Sequence, residues 1–126
     1  MNEVLEAIRT RRSVKNYRAE PVPNDLLSEI VSAGTYAASG MNRQSPIILN
    51  ITDRTARDML SDLNRRVGGW QAGFDPFYGA PNVLCVLADK EVGTGDYEGI
   101  GFCILGYAHG EYPATKPRKE NRIFTV

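Results

Sequence analysis

The segment IRTRRSVKNY, Ile8 to Tyr17, sets Arg11, Arg12 and Lys15 around the hydroxyl of Ser13 at the end of a helix-like run. Guanidinium and ammonium groups interleaved with a hydroxyl and a free backbone amide form the mixed donor set that phosphate oxygens take. Cations near a helix C-terminus are also favoured by the macrodipole, by about 0.3–1 kcal/mol each, and commonly just face water. A second cluster, Lys116, Arg118 and Lys119 in the tail, shifts the balance, because one phosphate dianion held by two chain segments accounts for both.

The stretch YAASGMNRQSP is a third candidate. Its Asn42 and Gln44 amides each donate and accept, which suits the edge of a planar heterocycle; the plainer reading is a polar loop bonding its own backbone. Trp70, Phe74, Phe77 and Tyr78 read more readily as core or interface filler than as a stacking platform. His109, the single histidine, follows GYA and precedes Gly110, as a turn residue would. Cys85 and Cys103 lie inside the apolar runs NVLCVLAD and IGFCILGY and are expected to be buried small hydrophobes. With no Cys-x-x-Cys pair, a zinc site or a thiol–imidazole pair has weak support.

The 126 residues fit one domain with a modest core. Hydrophobic residues make up 42% and charged residues 24%, the balance of a globular chain. The formal net charge is zero, which argues against a general nucleic-acid binder, since that needs surplus cations to displace counterions. The start MNEVLEAIRT carries acids and no apolar stretch of signal-peptide length, so a cytoplasmic protein with no membrane association is expected.

The elements that must position these groups follow from periodicity. Val4, Leu5 and Ile8 predict an amphipathic helix over residues 2–12. The prolines of RAEPVP delay the next helix until Asn24 or Asp25 caps it, with Leu26, Leu27, Ile30 and Val31 as its buried stripe and an end near Gly34. IILNIT reads as a strand, and Asp53 as the cap of a helix whose Ala56, Met59, Leu60, Leu63 and Val67 line one side. GGWQAGFDPFYGAP is too irregular for an element. NVLCVLA and IGFCILGY read as strands buried on both faces, and the last five residues, RIFTV, as one more strand.

Strands interleaved with helices predict an α+β or α/β layered sheet with flanking helices. One gap stands out: only DKEVGTGDYEG joins the strands at Asn82–Ala88 and Ile100–Tyr107. Parallel neighbours need a dozen or more connecting residues, so these strands are antiparallel or a segment is missing.

Taken in order, RTRRSVKNY, AASGMNRQSP, PFYGAPNVLCVLAD, GFCILGYAHGE and ATKPRKENRI resemble the small flavin-dependent nitroreductase family, across nearly the whole chain. The resemblance implies an FMN-dependent oxidoreductase that passes a hydride from NAD(P)H through flavin to a nitroaromatic, quinone or similar acceptor. It implies that Arg11, Arg12, Ser13 and Lys15 contact phosphate, ribityl chain and pyrimidine, and that Lys116 and Arg118 close over the phosphate. By the same resemblance Ser39, Asn42 and Gln44 reach the flavin from the other subunit of a homodimer, with FMN in the interface and the C-terminal segment wrapping the partner. No protein acid, base or nucleophile is implied. The family carries a long interface helix and a glycine-bearing stretch between the positions of Thr94 and Gly95. Here KEVGT runs straight into GDYEG, so the chain is either the retained part of a longer protein, the expected case, or is deleted there, leaving the nitroreductase-like domain incomplete. The alternatives to an enzyme are a non-catalytic relative that binds FMN or another phosphorylated ligand, and an interaction module whose cations contact nucleic acid or an acidic protein, the nucleic-acid case being disfavoured by the balanced charge.

Overall fold

The computed structural model describes residues 1–91 and 93–125. Helix α1, Glu3–Thr10, begins where the Asn2 side chain accepts from the Leu5 amide at 2.9 Å. It ends at Thr10, with Arg11 as its C-cap donating its amide to the Ala7 carbonyl at 3.0 Å, so the Arg12 cation stands beyond the helix. Helix α2 spans Asn24–Gly34, as its periodicity predicts, but Pro23 precedes it and no side chain caps it. The expected cap at Asn24 or Asp25 is therefore corrected: proline's fixed φ sets the entry instead. Strand β1, Ile47–Ile51, is followed by Asp53, whose carboxylate accepts from the Ala56 amide at 2.8 Å and starts helix α3, Arg54–Gly68.

Strands β2, Asn82–Asp89, and β3, Tyr97–Leu105, complete a sheet of order β1-β2-β3, antiparallel throughout. The gap in the sequence reading thus resolves as a hairpin. Asp89 closes its turn by accepting from the Gly93 amide at 2.9 Å and from the Thr94 hydroxyl at 2.9 Å, which holds its carboxyl below the usual range against some desolvation. Ile47 pairs with Leu87 and Ile51 with Val83, while Leu84 pairs with Cys103 and Cys85 with Phe102. Paired residues share a face, so the two cysteines point to opposite sides.

The core is small: Val22, Leu27, Phe77, Ala80, Val83 and Leu84 are buried. Phe77 lies edge-on to Phe102, with ring centroids 5.2 Å apart. Several expectations are corrected. On α2 only Leu27 of the predicted stripe is buried, Leu26 and Ile30 being exposed. On α3 the inward residues are Arg57 and Ser61, while Met59, Leu63 and Val67 face out. The cause is Asp75 in the following loop, which draws the polar side of α3 inward. Strand β3 is exposed through most of its length because it is an edge strand, and Cys103 is exposed and Cys85 half-buried. Arg122–Thr125 form no strand, and Val126 lies outside the described residues.

Candidate functional site: a cation-lined cavity between the two ends of the chain

Residues Asn16–Arg18 run beside Tyr107–His109, and this contact gathers the cations. Arg18 donates its amide to the Tyr107 carbonyl at 2.8 Å, His109 donates its amide to the Asn16 carbonyl at 3.0 Å, and Tyr17 forms a β-bridge with Ala108. His109 is thus part of the seam more than a simple turn. Close approach here requires glycine: a Cβ on Gly106 would stand 2.9 Å from the Tyr17 ring and 3.0 Å from Pro81. Because the two segments run antiparallel, the residues before Asn16 lie opposite those after His109.

Arg11, Arg12, Ser13, Lys15, Lys116 and Arg118 accordingly line one cavity of about 530 Å³, closed by Pro113, Ala114 and Thr115. Its lining holds cations and hydroxyls and no carboxylate. Among the described residues, ion pairs lie on α3, at Asp75 and in the β2–β3 hairpin, and none involves these five cations. Like charges gathered without counter-charges repel, and a bound dianion relieves that repulsion.

Arg12 differs from its neighbours. Its Nη1 donates to the carbonyls of Arg9 and Arg11, both at 2.7 Å, and its Nη2 donates to the Thr115 hydroxyl. Its backbone amide donates to the Tyr112 hydroxyl at 3.2 Å. The guanidinium therefore closes the end of α1 and fastens the tail, leaving Arg11, Lys15, Lys116 and Arg118 as the free cations of the cavity. Sequence reasoning grouped Arg12 with the others; Tyr112 and Thr115, to which it holds, carried no signal beyond their nearness to the tail cluster.

Ser39, Asn42 and Gln44 line a different hollow, of about 460 Å³, beside Ser32, Thr35 and Tyr36. The Gln44 side-chain amide donates to Asn42 Oδ1 at 2.9 Å, and the Gln44 backbone amide donates to Ser39 Oγ at 3.0 Å. Met41, Asn42 and Gln44 all have positive φ, at 56°, 53° and 47°. For Met and Gln this conformation is uncommon, and a loop that holds it is a tightly determined one. Within one chain this loop is thus not brought to the cation cavity. Another hollow, along α2 between Ser28, Glu29, Ser32, Ala33 and Tyr36, offers a carboxylate and hydroxyls but no cation.

Beside the cavity lies the turn Asp75–Gly79. Asp75 accepts from Arg57 Nη2 at 2.5 Å, Ser61 Oγ at 2.6 Å, and the amides of Phe77 and Gly79 at 2.9 and 2.8 Å. Burial raises its pKa, but these four donors together outweigh it and hold the carboxyl at about 2. Arg57 is itself buried and also donates Nε to the Ala80 carbonyl at 2.9 Å. A cluster of groups that could hold a metal ion is absent among the described residues, and no helix among them is long and apolar enough to cross a membrane.

Comparison with known proteins bears on this geometry. The family model described as "Nitroreductase family" matches residues 8–97. The chain is 32% identical over 89 residues to the FMN reductase (NAD(P)H) of Bacillus subtilis strain 168, covering 71% of this chain and 33% of that protein. It is 37% identical over 81 residues to an NADH dehydrogenase of Thermus thermophilus, covering 64% of this chain and 36% of that protein. The chain therefore spans about a third of the length of the curated relatives it matches. In fold, it superposes on the crystal structure of a nitroreductase with bound FMN from Bacteroides fragilis with a TM-score of 0.87, at 22% identity and with all of both chains covered. The match of more than two thirds of the chain to the family model, together with this fold, shows that the chain belongs to the nitroreductase family.

Proposed function

We propose that the cavity between Arg11 and Lys116 anchors the phosphate of FMN, and that the chain is the flavin-binding part of an NAD(P)H oxidoreductase. The observation that carries this reading is the convergence of four free cations and the Ser13 and Thr115 hydroxyls on one cavity without a carboxylate. That donor set fits a phosphate dianion. It includes the tail, which lies beyond the residues matched by the family model. The FMN named for the Bacteroides fragilis structure and the NAD(P)H named for the Bacillus subtilis relative support the same assignment.

In this reading Arg11, Lys116 and Arg118 neutralise the phosphate and Ser13 donates its hydroxyl to it. Lys15, farther along the N-terminal segment, faces the pyrimidine end, where a fixed positive charge favours a ring that carries negative charge. When bound, the flavin supplies the redox chemistry between a reduced nicotinamide and a nitroaromatic, quinone or similar small acceptor. The chain's own part is to bind and orient it.

Ser39, Asn42 and Gln44, whose loop opens on a separate hollow, would meet the flavin of a second copy in a homodimer. The exposed Val4, Ile8, Ile100 and Phe102, together with Ile123 and Phe124 in the tail, are the apolar surface such a partner would cover. The family match ends at Tyr97, three residues beyond Thr94, which supports a segment missing at the hairpin turn. That observation also favours a second reading, a relative that binds FMN without turning it over.

Refolding the chain with excess FMN and recording its visible spectrum tests the first reading. A yellow protein, bleached by NAD(P)H without oxygen and recoloured by a quinone, is the expected result. Bound flavin that NAD(P)H does not reduce supports the second reading, and colourless protein contradicts both.

A further inference from the structure

Tyr78 is held in a conformation that tyrosine rarely adopts, with φ 53°. A left-handed backbone at a bulky residue carries strain and persists only where its surroundings determine it. Here they do. The Tyr78 amide donates to the Asp75 carbonyl at 2.9 Å, the Asp75 carboxylate takes the amides on either side, and the Tyr78 carbonyl accepts from the Tyr17 amide at 3.3 Å. Gly79, at φ 79°, lets the chain leave the turn, and a Cβ there would stand 3.6 Å from the Tyr17 carbonyl. The consequence of this arrangement is one contact: the Tyr78 ring lies under the Lys15 ammonium, 5.8 Å from Nζ to the ring centroid.

Resting on the reading of the cavity as an anion anchor, we propose that Tyr78 is a positioning residue, whose ring fixes the Lys15 ammonium at the cavity wall. A lysine on four rotatable methylenes loses side-chain entropy when it binds an anion. An aromatic face that already attracts the ammonium bears part of that loss before the ligand arrives. The ring also meets Phe74 edge-to-face, with centroids 5.9 Å apart, and Phe74 in turn meets Trp70 at 5.6 Å. Trp70, Phe74 and Tyr78 thus form a run of contacting rings that ends at one cation, and the Arg57–Asp75 pair holds the turn that carries Tyr78.

The test removes the ring and keeps the turn. Asn tolerates the left-handed region, so Tyr78→Asn preserves the backbone while Tyr78→Phe preserves the aromatic face. Dissociation constants for inorganic phosphate and for FMN are measured for both variants, alone and in a Lys15→Met background, with thermal melts as a check on folding. Tyr78→Asn is expected to weaken FMN binding about two- to fivefold, the range an exposed cation–π contact supports, and to leave inorganic phosphate, held by Arg11, Lys116 and Arg118, bound as in the wild type. Tyr78→Phe is expected to retain wild-type affinity, and Tyr78→Asn to have no further effect once Lys15 is methionine. NMR adds a readout free of any ligand: the Lys15 ε-methylene resonance is ring-current shifted in the wild type and in Tyr78→Phe, and unshifted in Tyr78→Asn. Wild-type FMN affinity in Tyr78→Asn, or an equal loss with and without Lys15, overturns the proposal. If the Lys15 resonance shows the expected shift but FMN does not bind, the flavin assignment fails and the role of Tyr78 stands.

Discussion

Arg57 Nη2 and Asp75 Oδ2 are 2.5 Å apart, and the guanidinium is 4% exposed where the carboxylate is 31% exposed. The pair joins α3 to the turn that carries Phe77 and Tyr78. The arginine also lies over the Phe77 ring, 5.3 Å from its centroid, so its plane contributes to the core as well as its charge.

Replacing Arg57 by methionine leaves Asp75 partly buried without its main cation. Stability should fall by about 2–4 kcal/mol, less than the roughly 3–5 kcal/mol for breaking a fully buried pair because Asp75 is 31% exposed. Urea unfolding followed by circular dichroism measures this, and a loss under 1 kcal/mol would show that the pair is not central to the core.

Asp75 also sets an acid dependence. Its folded pKa, about 2, lies below the ordinary 3.8, so its contribution to stability is present above about pH 4 and is lost as pH falls towards 2. Asp58, Asp62 and Asp89 are shifted in the same direction, so the acid loss is shared. Asp75→Asn should lower stability at pH 7 and flatten the curve between pH 4 and 2 by about 1 kcal/mol, a figure discounted for solvent screening of a one-third-exposed group. Chemical denaturation at stepped pH values checks both the sign and the window.

Arg12 should behave as a tether and not as an anion ligand. Arg12→Ala frees the end of α1 and the tail, so limited proteolysis near Thr115 should accelerate, and anion affinity should fall only through the loosened Lys116 and Arg118. Arg12→Lys, which keeps the charge but not the forked donor geometry, should resemble Arg12→Ala. Restoration of affinity by lysine would assign Arg12 a direct contact instead.

The elements were largely legible in the sequence because local signals set them. The apolar runs became β2 and β3, Asp53 capped α3, and glycine and aromatics marked the loop at 68–81. What was not legible was the direction each element faces. The apolar stripe of α3 pointed outward because a single aspartate 18 residues after Arg57 took its polar side, a pairing that periodicity does not carry. The expected burial of β3 failed because the strand stands at the edge of the sheet, a position that its apolar run does not mark. For the candidate site, the residue types at both chain ends were readable and their convergence followed from the resemblance. The seam of Asn16–Arg18 against Tyr107–His109, which brings them together, is a non-local contact without a local sequence mark.

Alanine at Arg11 together with Ser13 should weaken FMN binding, each charge-assisted contact contributing about 1.5–3 kcal/mol. Raising the salt concentration should weaken the wild type more than this variant, since a charge–phosphate contact is screened. Fluorescence titrations at two ionic strengths measure both effects.

The central claim, that cations from the two ends of the chain hold one phosphate, is tested most directly by titrating the protein with FMN and with riboflavin, which lacks that phosphate. The account predicts that FMN binds at least roughly tenfold tighter, and that Arg11→Ala with Lys116→Ala abolishes the difference. Equal affinity for the two flavins in the wild type would contradict it.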